Sequence, residues 1–241
     1  MRTVRLYVNC ALAASSELEL PPEASHYVGK VLRAKLAQSL RLFNGDGQEY
    51  SATVTAVNKK SVIVAIQSAS NGQPPSPLHT HLGQVMSRGD RMDYAIQKAT
   101  EMGVNAITPL SSERCEVKLD LQRLKKRLHH WQQIAISACE QSGRSDVPTI
   151  HQPVLLSQWL EQVEAQQKLV LHPHNTVRLT ELATPNSCAL LIGPEGGLTD
   201  AEVNAAQTQG FQAMLLGPRI LRTETAPVAS LSLLQHLWGD Y

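Results

Sequence analysis

A short proline-rich segment divides the sequence into two parts with different patterns, and this division constrains the fold more than any other feature. The segment Asn71-Gly72-Gln73-Pro74-Pro75-Ser76-Pro77 carries three prolines in four residues. Proline lacks a backbone N–H and favours extended chain, and Asn-Gly is a turn signal, so no strand or helix is expected to continue through it. We therefore predict a linker over 73–78 between a first domain, 1–72, and a second domain, 79–241.

The first domain has the pattern of a small all-β fold. The turn sequence Asn44-Gly45-Asp46-Gly47 lies between two apolar segments, which is a strong signal for a hairpin. Several short strands in about 70 residues indicate a small β-barrel. The strands are predicted over Thr3–Val8, Leu40–Phe43, Tyr50–Val57 and Ser61–Ala69, with one short helix over His26–Arg33.

The second domain alternates strands with helices. This alternation predicts an α/β fold with a mainly parallel sheet covered by helices. Thr199-Asp200-Ala201-Glu202 has the capping-box spacing that begins a helix. The predicted strands are Thr80–Met86, Ala106–Leu110, Lys168–Leu171, Ala189–Ile192 and Ala213–Leu216. The predicted helices are Arg91–Met102, Leu121–Gln141, Thr199–Gln209 and Ala226–Trp238.

Composition and charge exclude several classes of protein. No apolar run approaches the roughly 18 to 20 residues of a membrane span, and the N-terminus becomes polar too early for a signal peptide. The formal net charge is only +1, but 1–72 carry eight Lys and Arg against five Asp and Glu, a small basic excess suited to RNA. No CxxC pair occurs, so we expect a cytoplasmic protein with reduced thiols at Cys10, Cys115, Cys139 and Cys188.

Two loops that each follow a predicted strand have an unusual composition. Ligands of parallel sheets bind beyond the carboxyl ends of the strands. The loop Ile192–Leu198 has three glycines and a proline within five residues, which leaves backbone that a flat ligand can approach. The loop Leu216–Pro227 gathers two Arg, a Glu and two Thr. Simple turns of a doubly wound fold remain an alternative, and neither a GxGxxG nor a GxxxxGK[ST] motif occurs.

The two loops, GPEGGLTDAEV and LGPRILRTETAP, resemble the C-terminal signature of the RsmE-type 16S ribosomal RNA uridine-N3 methyltransferases, which belong to the trefoil-knotted SPOUT class. The sequence departs from that family at Ser87-Arg88, where a lysine is expected before the glycine. The similarity covers nearly the whole chain in order, through His26–Arg33, Phe43–Gly47, Arg88–Met92, Gln97–Val104, Ser112–Arg114 and Glu140–Arg144.

This resemblance implies a fold and an activity. The expected fold is a small N-terminal PUA-like β-barrel that binds RNA and a C-terminal knotted α/β domain with a mainly parallel sheet covered by helices. The expected enzyme is a homodimer that transfers a methyl group from S-adenosylmethionine to N3 of a uridine in the decoding region of 16S rRNA, within the 30S subunit. Two alternatives stay open: a SPOUT enzyme that modifies another RNA or a ribose 2′-hydroxyl, and an RNA-binding assembly factor without catalysis.

The resemblance also implies the site residues. Uridine N3 carries a proton at neutral pH, so an arginine that stabilises the anion or a carboxylate that takes the proton is expected; an ion pair between Arg222 and Glu224 is the structural alternative. The catalytic candidates are Arg219, Arg222 and Glu224. The cofactor-binding candidates are Leu171, His172, Gly193, Pro194, Glu195, Gly196, Leu216, Gly217, Ile220 and Leu221. The RNA-binding candidates are Arg2, Arg5, Lys30, Arg33 and Arg88.

Two further features have no assigned role. The pairs His79-Thr80-His81 and His172-Pro173-His174 lack a recognisable third ligand, and methyl transfer from a sulfonium needs no metal, so no metal site is expected. A basic stretch on the predicted long helix is either a solvated face or a phosphate contact. It consists of Arg123, Lys125, Lys126, Arg127, His129 and His130.

Overall fold

The computed structural model describes residues 3–117, 121–174 and 176–241. The chain forms two compact units, one made of Met1–Pro75 with Cys139–Val147 and the other of Ser76–Ala138 with Pro148–Tyr241. The boundary near residue 75 lies inside the proline-rich segment. The inclusion of 139–147 in the first unit is a feature that sequence reasoning did not anticipate.

The first unit is built on a mixed five-stranded sheet in the order β1-β3-β4-β5-β2. Strand β1 is parallel to β3, and the other pairs are antiparallel. The hairpin predicted at 44–47 joins β3 to β4. The strands are β1 (Val4–Tyr7), β2 (Ser16–Glu19), β3 (Ser39–Phe43), β4 (Gln48–Val57) and β5 (Val62–Asn71). Strand β2 was not predicted, because its four residues are mostly polar.

The helix of the first unit begins earlier than the sequence predicts. Helix α1 (Pro22–His26) starts with proline in its first turn, where the missing N–H has no intrahelical partner. A π-helical segment, Tyr27–Val31, follows it directly. The prediction of His26–Arg33 was therefore wrong by several residues at its start, since Pro22 initiates this helix.

Arg5 holds segments of the first unit together. Its guanidinium forms an ion pair with Glu49 at 2.7 Å and donates to the carbonyl oxygens of Cys139 and Arg144 at 2.7 and 3.1 Å. It also lies 4.8 Å from the centre of the Phe43 ring. The Arg5 side chain is only 12% exposed. Because its guanidinium donates to acceptors within the protein, Arg5 is a poor candidate for an RNA contact.

The second unit contains an all-parallel seven-stranded sheet in the order β12-β10-β11-β6-β7-β8, with β9 also paired to β7. The strands are β6 (His79–Val85), β7 (Ala106–Ser111), β8 (Thr149–Ile150), β9 (Val154–Leu155), β10 (Gln167–Leu171), β11 (Ser187–Ile192) and β12 (Gln212–Met214). The helices are α2 (Asp90–Glu101), α3 (Leu121–Ser142), α4 (Leu156–Gln162), α5 (Asp200–Thr208) and α6 (Thr225–Trp238). The alternation of strands and helices is confirmed; the short β8, β9 and α4 were not predicted.

Both faces of this sheet are buried. Leu190 of β11 joins one apolar cluster, with Ile96 of α2 and Leu231 of α6, and the next residue, Leu191, joins another with Trp159 of α4. Successive strand residues point to opposite faces, so the run Ala189–Ile192 is apolar throughout.

Helix α6 uses its apolar side within its own unit. Leu231 and Leu234 are fully buried, and Leu237 packs against the same cluster. These leucines therefore belong to the core of the second unit.

Within the described residues, no helix is long and apolar enough to cross a membrane.

All four cysteines are free thiols, and burial raises the pKa of Cys139 and of Cys188 to about 12. These two thiols are therefore protonated at neutral pH.

Candidate active site

Three loops converge at the carboxyl end of the sheet. They follow β10, β11 and β12, which are neighbours in the sheet and, being parallel, end at the same edge. The loops enclose a cavity of about 920 Å³. It is lined by every cofactor-binding and catalytic candidate: Leu171, His172, Gly193, Pro194, Glu195, Gly196, Leu216, Gly217, Arg219, Ile220, Leu221, Arg222 and Glu224.

The loop after β11 is a tight turn that leads into α5. Gly197 has a φ of +69°, which favours glycine, and its N–H donates to the carbonyl oxygen of Pro194 at 2.9 Å. The predicted capping box is confirmed: the Thr199 hydroxyl accepts from the N–H of Glu202, whose carboxylate accepts from the N–H of Thr199. The turn and the cap together fix the glycine-rich backbone beside the cavity.

The loop after β12 is tied back to the sheet. The Thr223 hydroxyl donates to the carbonyl oxygen of Gly193 at 3.0 Å, and Gln84 Nε2 of β6 lies 3.3 Å from the Thr223 oxygen. Both Gln84 and Thr223 are buried. Sequence reasoning gave neither residue a role; a glutamine inside the apolar strand β6 was the available signal. Together they join the two loops.

Three charged residues of the cavity, Arg219, Arg222 and Glu224, have no ion-pair partner among the described residues. Arg219 and Arg222 are exposed, and Glu224 is half-buried. Among the described residues, no salt bridge links Arg222 to Glu224. Ile220, beside them, is fully exposed. Leu215, which also lines the cavity, is 46% exposed, so two exposed apolar side chains lie at its rim.

A second, smaller cavity of about 470 Å³ shares Arg91, Glu195 and Gly196 with the first. Arg91 forms an ion pair with Glu195 at 2.8 Å, and Arg114 donates to the carbonyl oxygen of Gly196 at 2.9 Å. A Cβ built on Gly196 would lie 3.6 Å from Arg114, so this glycine faces the second cavity. Sequence reasoning gave Arg91 and Arg114 no role, although both lie in motifs that support the resemblance.

The histidine pairs are not brought into a metal site. The His172 and His174 rings lie 5.4 Å apart, and His81 contacts Thr108 at 2.8 Å. Burial, followed by His151 and His79, lowers the pKa of His81 to about 4. No group of three or more His, Cys, Asp or Glu that could hold a metal occurs in the described parts of the chain.

The RNA-binding candidates differ in their surroundings. Lys30 and Arg33 of the first unit are exposed, and Arg33 has a φ of 49°. Arg88 of the second unit is exposed and forms an ion pair with Glu116 at 3.0 Å. Arg2 lies outside the described residues.

Comparison with known proteins identifies the family of this chain. Residues 74–235 match the RNA methyltransferase domain family, and residues 20–67 match the RNA methyltransferase PUA domain family. The chain is 37% identical to the ribosomal RNA small subunit methyltransferase E of Buchnera aphidicola subsp. Schizaphis graminum, over 99% of this chain and 98% of that one.

Two solved structures are similar over their full lengths. A Legionella pneumophila chain in complex with the bound cofactor SAM is 44% identical, with a TM-score of 0.97 and 100% of both chains covered. The ribosomal RNA small subunit methyltransferase E of Neisseria gonorrhoeae, bound to S-adenosyl methionine, is 38% identical, with a TM-score of 0.93 and 100% of both chains covered. The fold is accordingly PUA-like in the first unit and SPOUT-like in the second, and the chain belongs to the ribosomal RNA small subunit methyltransferase E family.

Proposed function

We propose that this protein methylates N3 of a uridine in 16S rRNA of the small ribosomal subunit, with S-adenosylmethionine as the methyl donor. The strongest support is the convergence of three loops on one cavity, in a chain that is 38% identical over its full length to a relative solved with S-adenosyl methionine. A SPOUT enzyme of different specificity remains the second candidate.

The residues of the cavity fit this cofactor. Its volume of about 920 Å³ is in the range of small-molecule sites, and Leu171, Leu216 and Leu221 offer apolar surface to an adenine ring. The loops that contain Gly193 and Gly217 expose backbone donors and acceptors for its edge. When bound, the cofactor supplies an electrophilic methyl group on a sulfonium.

The charged residues of the cavity suit the nucleophile. Arg222 and Arg219 carry unneutralised positive charge, which favours the uridine anion over the neutral base. Glu224 is the nearest carboxylate in sequence and is free to accept the N3 proton or to orient an arginine. We assign Arg222 to stabilisation of the anion and Glu224 to proton removal.

RNA recognition is assigned mainly to the first unit. Lys30 and Arg33 are exposed cations there, and that unit contains the matched PUA region. Phosphate contacts release counterions, so RNA affinity is expected to fall steeply with salt. A variant with Lys30→Glu and Arg33→Glu should lose rRNA affinity and keep cofactor affinity.

The working unit is proposed to be a homodimer. The support is the fully exposed Ile220 and the half-exposed Leu215, which lie beside the unpaired Arg219 and Arg222. A second chain placed over this rim would cover the apolar side chains and strengthen the electrostatic effect of the arginines by excluding water.

The activity is tested with labelled S-adenosylmethionine, the full-length protein and undermethylated 30S subunits, followed by nucleoside analysis. Label in 3-methyluridine is the expected result. Label in a 2′-O-methyl nucleoside would select the second candidate. The absence of transfer, with rRNA binding intact, would indicate a binding factor.

A further inference from the structure

Three cavities of the second unit share lining residues. The cofactor cavity shares Arg91 and Glu195 with the 470 Å³ cavity, which in turn shares Arg88 and Glu116 with a third cavity of about 700 Å³. The third cavity runs along the N-terminal half of α3. The three cavities therefore adjoin one another, and together they form what we call the groove, from the proposed methyl-transfer site past Arg91 and Arg88 to the basic stretch that had no assigned role.

The basic stretch does not present all its cations to this groove. Lys126 and Arg127 line the third cavity, whereas Lys125, which is also exposed, does not. Among the described residues, Lys126 and Arg127 form no salt bridge. If this helix face contacted only solvent, there would be no reason for unpaired cations to line one groove.

The wall of the groove is held in place by hydrogen bonds to Asp93 and by the burial of Trp131. On α3, His130 Nε2 lies 2.8 Å from a carboxylate oxygen of Asp93, and Trp131 Nε1 donates to the other oxygen at 3.1 Å. Trp131 is buried. Asp93 belongs to α2, the helix that also carries Arg91, so the same helix positions both ends of the groove.

The arginines along the groove are held by weak, exchangeable partners. The pairs Arg88–Glu116 and Arg91–Glu195 are both largely exposed, and exposed ion pairs contribute little free energy. A phosphate group can therefore replace either carboxylate. Arg114 keeps its bond to the Gly196 carbonyl and so links the groove to the cofactor loop.

We propose that the RNA strand that carries the target uridine lies in this groove. The target nucleotide occupies the cavity between Arg91 and Arg114, and the phosphates that flank it contact Lys126 and Arg127. This inference rests on the proposed RNA substrate and names the surface that positions it. A single, splayed strand fits best, because the cations follow one narrow track and the target base must leave its stack to reach the cofactor.

The test compares Lys126→Glu and Arg127→Glu with Lys125→Glu, which makes the same charge change on the same helix outside the groove. Binding of fluorescent 16S rRNA and of 30S subunits is measured directly, together with methyl transfer and cofactor affinity. We expect each groove variant to weaken RNA binding roughly tenfold at physiological salt, with a salt slope reduced by about 0.7 for each lost contact. Lys125→Glu should change RNA binding less than about twofold, and cofactor affinity should be the same in all three.

Equal losses in Lys125→Glu and Lys126→Glu would reduce the effect to net charge and overturn the groove. Unchanged RNA binding in both groove variants would overturn it as well. Failure of the proposed function is separate: a wild-type protein that binds rRNA through the groove but transfers no methyl group contradicts the activity and leaves the groove standing.

Discussion

Single residues of the glycine-containing loops that line the cavity are constrained by their backbone rather than by their side chains. Gly217 has a φ of +85° and Gly197 has a φ of +69°, values that most side chains disfavour. Gly196, by contrast, faces Arg114 at an ordinary contact distance. The glycines of one motif therefore have different roles, which the sequence pattern alone does not separate.

Gly217→Ala tests the contribution of this backbone to cofactor binding. We expect about 1 kcal/mol of strain, which a loop at the surface relieves by moving, and a loss of S-adenosylmethionine affinity of about tenfold. Gly210→Ala is the matched control, since Gly210 also has a φ of +85° but does not line the cavity. Calorimetry that finds equal affinities for the two variants would remove Gly217 from the site.

Kinetic measurements on variants distinguish the proposed role of Arg222 from that of Glu224. Arg222→Ala should lower kcat by roughly 10²- to 10³-fold with cofactor affinity unchanged, because the uridine anion loses the positive charge that stabilises it. Glu224→Gln should lower the rate at neutral pH, and the loss should shrink as pH rises and the uridine ionises without help. A pH-independent loss in Glu224→Gln would contradict its role as the base.

At the scale of elements, periodicity and caps located most of the fold. The helix α5 was predicted because Thr199 and Glu202 form a local signal that needs no tertiary contact. Strands β8 and β9, of two residues each, were missed because their existence depends on pairing with β7. Parallel topology predicted that the loops after β11 and β12 would end at one edge, whereas the loop after β10 was included only through the family resemblance, at Leu171 and His172. The link from Thr223 to Gln84 was not predicted, since 139 residues separate them.

His81 of β6 is expected to make the free energy of unfolding depend on pH. The pKa of His81 is lowered from 6.5 to about 4, so the unfolded chain binds its proton first as pH falls. Stability is therefore complete above pH 6.5 and is lost as pH falls towards about 4, by at most about 3 kcal/mol. The free energy of unfolding of a His81→Gln variant should depend less on pH in this window. A pH profile of the His81→Gln variant identical to that of the wild type would exclude His81.

At the scale of the whole molecule, motifs indicated the family and the proline-rich segment predicted a boundary near residue 75, whereas the place of 139–147 in the first unit depends on long-range contacts. Arg5 illustrates the reason. Its position in a basic N-terminal segment suggested RNA, but its contacts with Glu49 and with the carbonyl oxygens of Cys139 and Arg144 are long-range. The charge of a residue does not show, from sequence alone, whether a distant part of the chain supplies its hydrogen-bond or ion-pair partner.

The proposed dimer predicts shared sites. Chains with Arg222→Ala, mixed with chains that carry Lys30→Glu and Arg33→Glu, should recover activity that neither parent shows, because one mixed site retains both functions. Light scattering should give the mass of two chains. A fully active monomer at assay concentration would contradict the proposal.

The central claim is the chemistry at uridine N3, and reverse transcription of 16S rRNA after reaction tests it most directly. A methyl group on N3 removes the donor that pairs with adenine, so extension should stop at one uridine in reacted 30S subunits and pass it when S-adenosylmethionine is omitted. An rRNA that gains a methyl group without any new stop, or with a stop at another base, would contradict the account.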